Sequence, residues 1–302
     1  MTSILNKLVK KNIVSVTPSF VAESIQYEVI MGSVAYGVSN DSSDTDVFGF
    51  CIPPKDYVFP HLRGEVAGFT PPGPRFDQYQ QHHIKDVSAA GGKGKEYDFS
   101  IYSIVKYFRL CAENNPNIID SLFVPRRCIL HSTRIGDLLR DNRHIFLHKG
   151  AWPKFKGYAY GQMRKMHTKE AHGKRKQSVE AYGYDVKFAY HIVRLLNEVE
   201  QILVEGDLDL ERNREQLKSI RSGRWTLQQI EDYFEQKENE LEQYYLKSDL
   251  PHKPDMQKLQ ALLLECLETY YGSLGRAIVQ ADELSNALRN IDEIVNKVRG
   301  KL

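Results

Sequence analysis

Residues 32–46 read GSVAYGVSNDSSDTD and lie between two apolar runs, IQYEVIM (25–31) and VFGFCI (47–52). Each run has strand character and stops at a turn former, Gly32 after the first and Pro53-Pro54 after the second. The spacing predicts a strand, a tight Gly-Ser turn, the start of a short helix, then a second strand. Gly32 allows close approach of backbone to a ligand. Ser33 offers a hydroxyl, and the N–H groups at the following helix start favour an anion such as phosphate. Asp44 and Asp46 have the strand period of two, so their carboxylates leave one side of the sheet. Two hard carboxylates that close repel unless a cation lies between them. Mg²⁺ (or Mn²⁺) suits a site of few carboxylates completed by phosphate oxygens. Asp41 reads instead as turn chemistry, because Asn40-Asp41-Ser42-Ser43 is turn-forming.

A third carboxylate would complete a two-metal site with ions about 4 Å apart, able to activate a hydroxyl and hold a triphosphate in line. Asp98, on the alternating segment YDFSI (97–101), is the first candidate; Glu96 has the same parity and is the alternative.

Further out, residues 60–94 are rich in Pro and Gly and read as loops around one strand at most. A helical period starts at Ser100 or Ser103 and ends at Asn114-Asn115-Pro116, and a short helix covers 117–124. Beyond about residue 132 the pattern is helical: 135–146, 152–171, 184–205, a segment opened by the capping box Thr226-x-x-Gln229 and running to about 246, then 255–272 and 274–298. The class is α+β, with a mixed-sheet catalytic domain over 1–140 and an all-helical domain over 141–302 that binds nucleotide and acceptor.

Charge is balanced overall, with 41 basic and 39 acidic side chains, which gives no strong general steering towards polyanions or membranes. Residues 151–194 nevertheless hold ten basic and three acidic side chains. Within them Lys187, His191 and Arg194 fall on one helical stripe, and Gln162, Lys165 and Lys169 on another. Lys187 and Arg194 are the first candidates for phosphate contacts; His191 could donate a hydrogen bond or simply pack. Gly173-Lys174-Arg175-Lys176 reads as a charged loop. His82-His83 read as exposed loop residues, since neighbours on a strand would point opposite ways. Lys93-Gly94-Lys95 lacks the rest of a P-loop. No apolar run approaches the ~20 residues of a membrane span. The start of the chain lacks a signal peptide's apolar core, and the four cysteines are scattered with no C-x-x-C pair. A reducing cytoplasm is the expected location.

The combination Gly32-Ser33 … Asp44-Thr45-Asp46 resembles the signature of the DNA polymerase beta-type nucleotidyltransferase superfamily. More narrowly, the chain resembles a family of nucleotidyltransferases associated with RNA repair. The pieces that carry this are Gly32-Ser33-x-Ala35-Tyr36-Gly37, Ser43-Asp44-x-Asp46-x-x-Gly49, Asp98 before Tyr102-Ser103, Asn115-Pro116, Gly161-Gln162-x-x-Lys165, and Gly183-Tyr184-Asp185-x-Lys187 with His191 and Arg194. Asp120 stands where the resemblance leads one to expect Glu. The resemblance implies metal-dependent transfer of a nucleoside monophosphate from an NTP, ATP among them, to an acceptor hydroxyl, with an RNA end, tRNA in particular, as the leading acceptor.

Overall fold

The computed structural model describes residues 2–39, 45–170, 173–274 and 291. Asp44 and almost all of the helix expected over 274–298 lie outside them. Five strands form one sheet: β1 (Ile25–Ile30), β2 (Thr45–Cys51), β3 (Gln78–Asp86), β4 (Lys95–Ser103) and β5 (Ile129–Ser132), in the order β3-β4-β2-β1-β5. β2 and β4 run parallel; every other pair is antiparallel. The parallel pair arises because the chain passes from the end of β2 to the outer edge, β3 runs back along that edge, and the turn at 87–94 returns β4 between β3 and β2.

Alternation along the strands assigns the two faces. Val47, Tyr97, Phe99 and Ile101 point to one face and pack with Leu5 and Leu8 of α1 (Ile4–Lys10) and with Val21 and Ala22 of α2 (Phe20–Glu23). Tyr27, Val29, Phe50 and Tyr102 point to the other face. There they meet α4 (Ile104–Ala112), α5 (Pro116–Phe123) and α6 (Arg134–Asp141), which follow α3 (Lys55–Val58) in the chain. Gly49 is obligatory where β1 crosses it, because an added Cβ would lie 2.0 Å from the Tyr27 carbonyl oxygen. Side-chain caps start the helices where composition predicts: Ser103 accepts from the Lys106 amide, and Asn115, just before Pro116, from the Asn117 amide.

One buried acid on the α1 side is unusual. Glu28, fully buried on β1, accepts from the Ile4 amide at 2.6 Å and the Leu5 amide at 3.2 Å, so a strand residue caps the first turn of α1. Burial raises its carboxyl from 4.5 to about 7, against the lowering effect of those two amides.

The remaining chain is helical: α7 (Ala151–Thr168), α8 (Lys174–Tyr182), α9 (Val186–Glu205), α10 (Arg214–Arg221), α11 (Leu227–Lys247) and α12 (Met256–Tyr271). α9 is the central helix, buried along most of its length between α7, α10 and α11. Asp185 caps it and Gly206 ends it in the left-handed region. The expected capping box at Thr226 and Gln229 is present at the start of α11. Two expectations are corrected. The charged stretch 173–176 is not a loop but the start of α8, and His82 and His83 are not loop residues but lie on β3, the nine-residue edge strand that the 60–94 stretch contains. α12 returns to the sheet half, where the Tyr271 hydroxyl donates to the Pro53 carbonyl.

Candidate active site

β1 ends at Ile30, and the Met31 amide still donates to the Asp46 carbonyl at 2.8 Å. Gly32 follows with φ +65° and opens the short 3₁₀ turn Gly32–Val34. Both its conformation and its lack of a side chain are required, since a Cβ would lie 2.2 Å from Asp46 Oδ2. The Asp46 carboxylate therefore lies directly against the backbone of the Gly-Ser turn. The turn is tied down by the Tyr36 amide on the Gly32 carbonyl (3.3 Å) and the Val38 amide on the Ser33 carbonyl (2.8 Å).

β2 and β4 pair with Asp46 opposite Asp98. In-register residues on neighbouring parallel strands leave the same face about 4.8 Å apart. Their neighbours Thr45 and Tyr97 are buried on the opposite face, whereas Asp46 and Asp98 are half-buried. Asp98 Oδ1 accepts from the His83 amide at 2.7 Å, and its Oδ2 lies 3.3 Å from His82 Nδ1. Glu96, two residues earlier, is held at 2.6 Å by His83 Nδ1 and at 4.0 Å by Lys85. Among the described residues no three acids, histidines or cysteines converge as a metal site, and position 44 is outside that set. What is present fits a hard divalent cation: two oxygen donors in register beside a glycine whose missing side chain leaves one of them room.

The second feature is a cavity of about 540 Å³ between α7, α8 and α9, closed by the N-terminus of α5. Its lining brings together Gln162 and Lys165 from α7 with His191 and Arg194 from α9, and adds Lys169, Arg175, Phe188, Tyr158 and Asn117. No carboxylate lines it. Among the described residues Lys165 and Lys169 have no ion-pair partner, so the cavity presents uncompensated positive charge. Arg175 stacks over Phe188 at 4.4 Å and pairs with Asp185 at 3.3 Å. Burial first, then the charges of Arg194, Lys187, Arg175 and Arg221, push the His191 imidazole well below its ordinary value, so it is neutral at pH 7. Lys187 does not line the cavity; it is exposed, and its amide is the one that Asp185 caps at 2.9 Å.

Arg194 is less available than a solvent-facing arginine. Its Nη1 donates to Tyr36 Oη at 2.6 Å, to Asp120 Oδ2 at 2.5 Å and to both Glu198 oxygens at 3.0 Å, while the guanidinium stacks 4.4 Å above the Tyr36 ring. All four residues are buried. Two carboxylates face one cation, and burial raises both Asp120 and Glu198 above the usual carboxylate range. Tyr36 lies four residues after Gly32, so this cluster ties the cavity wall to the Gly-Ser turn.

Sequence reasoning missed the partners of Arg194. Glu198 follows it by four residues and continues the stripe of Lys187, His191 and Arg194, and an opposite charge at that spacing in a helix otherwise rich in apolar residues was the available signal. Asp120 carried no such signal, since its partner is 74 positions away.

A search of the curated proteins finds no match. Among solved structures, a nucleotidyltransferase-like protein from Exiguobacterium sibiricum is similar at 10% identity over 91% of this chain and 77% of that one, with a TM-score of 0.28, too distant to bear on the chemistry. A family model described as the RNA repair pathway DNA polymerase beta family (RlaP) matches residues 4–265. With a match over that much of its length, the chain belongs to the RNA repair pathway DNA polymerase beta family and is a nucleotidyltransferase of the polymerase beta type.

Proposed function

We propose that the chain transfers a nucleoside monophosphate from an NTP to an acceptor hydroxyl on an RNA end, tRNA-like ends included, and releases pyrophosphate. The observation that carries this reading is the register of Asp46 with Asp98 beside Gly32. Asp46, Asp98 and Asp44 are the residues that would hold Mg²⁺ or Mn²⁺. Bound by such carboxylates, a divalent cation polarises phosphate oxygens and makes an adjacent hydroxyl more acidic. The chain's own residues do the rest. The Gly32-Ser33 turn receives phosphate oxygens close to its backbone. Lys165 and Lys169 meet the polyphosphate, and neutral His191 and the Gln162 amide offer hydrogen bonds. Lys187, on the exposed side of α9, is kept as a contact for the acceptor's phosphates. Arg194 acts through the buried cluster that fixes Tyr36. In this reading residues 1–140 supply the carboxylates and residues 141–302 most of the cavity.

The acceptor oxygen forms its bond to the α-phosphorus as the bond to pyrophosphate breaks, and the hydroxyl loses its proton. The test is a screen of four labelled NTPs with Mg²⁺ or Mn²⁺ against RNAs of defined ends, with total protein alongside. Label on RNA, lost in Asp46→Asn and Asp98→Asn, is the expected result. Label on protein alone would move the acceptor; transfer that survives both substitutions would overturn the site.

A further inference from the structure

We propose that the bulge in β3 at His82-His83 is a positioning device for the Asp98 carboxylate; the inference rests on the reading of Asp98 as a catalytic carboxylate given above. Gln81 pairs with Phe99 and Ile84 with Tyr97, so two residues, His82 and His83, oppose the single Asp98. That is a β-bulge, and it falls at the one β4 residue assigned to the chemistry. In a regular antiparallel ladder the amides of β3 point along the sheet, to a partner strand or to the edge, and none can reach a side chain on the face.

The bulge changes this. His83 takes φ +60°, a conformation that side-chain-bearing residues rarely adopt. Its amide then leaves the ladder and donates to Asp98 Oδ1 at 2.7 Å. The bulge also breaks the alternation, so both rings reach the carboxylate face: His82 Nδ1 lies 3.3 Å from Asp98 Oδ2, and His83 Nδ1 lies 2.6 Å from Glu96 Oε1. Each Asp98 oxygen is thus held from β3 while its remaining lone pairs stay available. Glu96, of equal parity, is drawn instead to the exposed His83 ring and Lys85. The bulge sorts two like carboxylates: Asp98 is held by a backbone amide, Glu96 by exposed side chains. A left-handed non-glycine residue persists where the surroundings over-determine it, and here what it secures is a reacting group's orientation.

The experiment compares His82→Ala, His83→Gly and deletion of His83, with Asp98→Asn as reference. It measures kcat, KM for NTP, the Mn²⁺ concentration for half-maximal rate, and thermal melting. His83→Gly keeps the amide at a residue that adopts φ +60° freely and loses only the ring that holds Glu96, so kcat falls by no more than about fivefold. Deleting His83 closes the bulge and removes the donor. There kcat falls about 100-fold and the Mn²⁺ requirement rises about tenfold, with KM for NTP nearly unchanged. His82→Ala lowers kcat about tenfold with the same split. A merely structural bulge would move melting but not the Mn²⁺ requirement. A folded deletion variant with wild-type kcat and Mn²⁺ requirement overturns the inference. If the deletion does not fold, an unchanged His82→Ala or a 100-fold loss in His83→Gly overturns it. An inactive Asp98→Asn beside unaffected bulge variants sinks this inference alone; an active Asp98→Asn sinks the underlying reading as well.

Discussion

The carboxylate end of the sheet and the cationic cavity among the helices are built by opposite means. Asp46 and Asp98 are short side chains whose separation is set by hydrogen-bonded register, with Gly32 shaved to fit. Lys165 and Lys169 are long, exposed side chains, placed only by helix phase and free to follow a ligand. Between the two stands Arg194, buried, with the two hydrogens of its Nη1 shared among Tyr36, Asp120 and Glu198. In the proposed reading the rigid pair meets the reacting atoms and the adaptable pair meets charge, while the buried arginine ties the cavity wall to the Gly-Ser turn through Tyr36.

The sharpest break in this comparison is charge removal at the rigid pair. Asp46→Asn and Asp98→Asn should each lower kcat a thousandfold or more, roughly 4 kcal/mol of transition-state stabilisation, while melting shifts by only a few degrees. Steady-state kinetics with calorimetry checks both halves. Arg194→Met probes the connector. It leaves Asp120 and Glu198 buried without their cation, and should cost about 3–5 kcal/mol of stability in urea unfolding. Adding Asp120→Asn to it should recover part of that loss, because one stranded acid is neutralised.

The sheet also buries an acid on its far face, and pH separates it from the half-buried pair. Glu28 titrates near 7 when folded and near 4.5 when unfolded. Between those values the folded chain binds the extra proton. The contribution is fully present below about pH 4.5 and lost as pH rises through 7, about 3 kcal/mol at most. Wild type should therefore lose more stability than Glu28→Gln between pH 5 and pH 8, and equal losses would contradict it. The smallest effect belongs to the adaptable region. Lys165→Ala or Lys169→Ala should raise KM for NTP about fivefold to tenfold, with kcat and melting nearly unchanged.

Legibility differed between these regions for physical reasons. The strands around Gly32, the helix starts at Ser103, Thr226 and Asp185, and the shared parity of Asp98 and Glu96 within their own segment follow from local chemistry, which a single sequence carries. α8 escaped because Lys174–Tyr182 has no apolar stripe, and composition alone makes a polar helix look like a charged loop. The bulge escaped because alternation, the rule by which strands are read, is what it violates. The Arg194 cluster escaped in part because Asp120 and Tyr36 come from segments far away in the chain.

By itself the sequence determined periodicity, caps and turn chemistry, because those depend on neighbours within a few residues. Only the tertiary structure decided that Asp46 faces Asp98 across a parallel pair, that Arg194 is enclosed rather than open to solvent, and that two histidines share one carboxylate face. Each of these depends on strand register or on segments brought together across the fold, and no local preference encodes such a pairing.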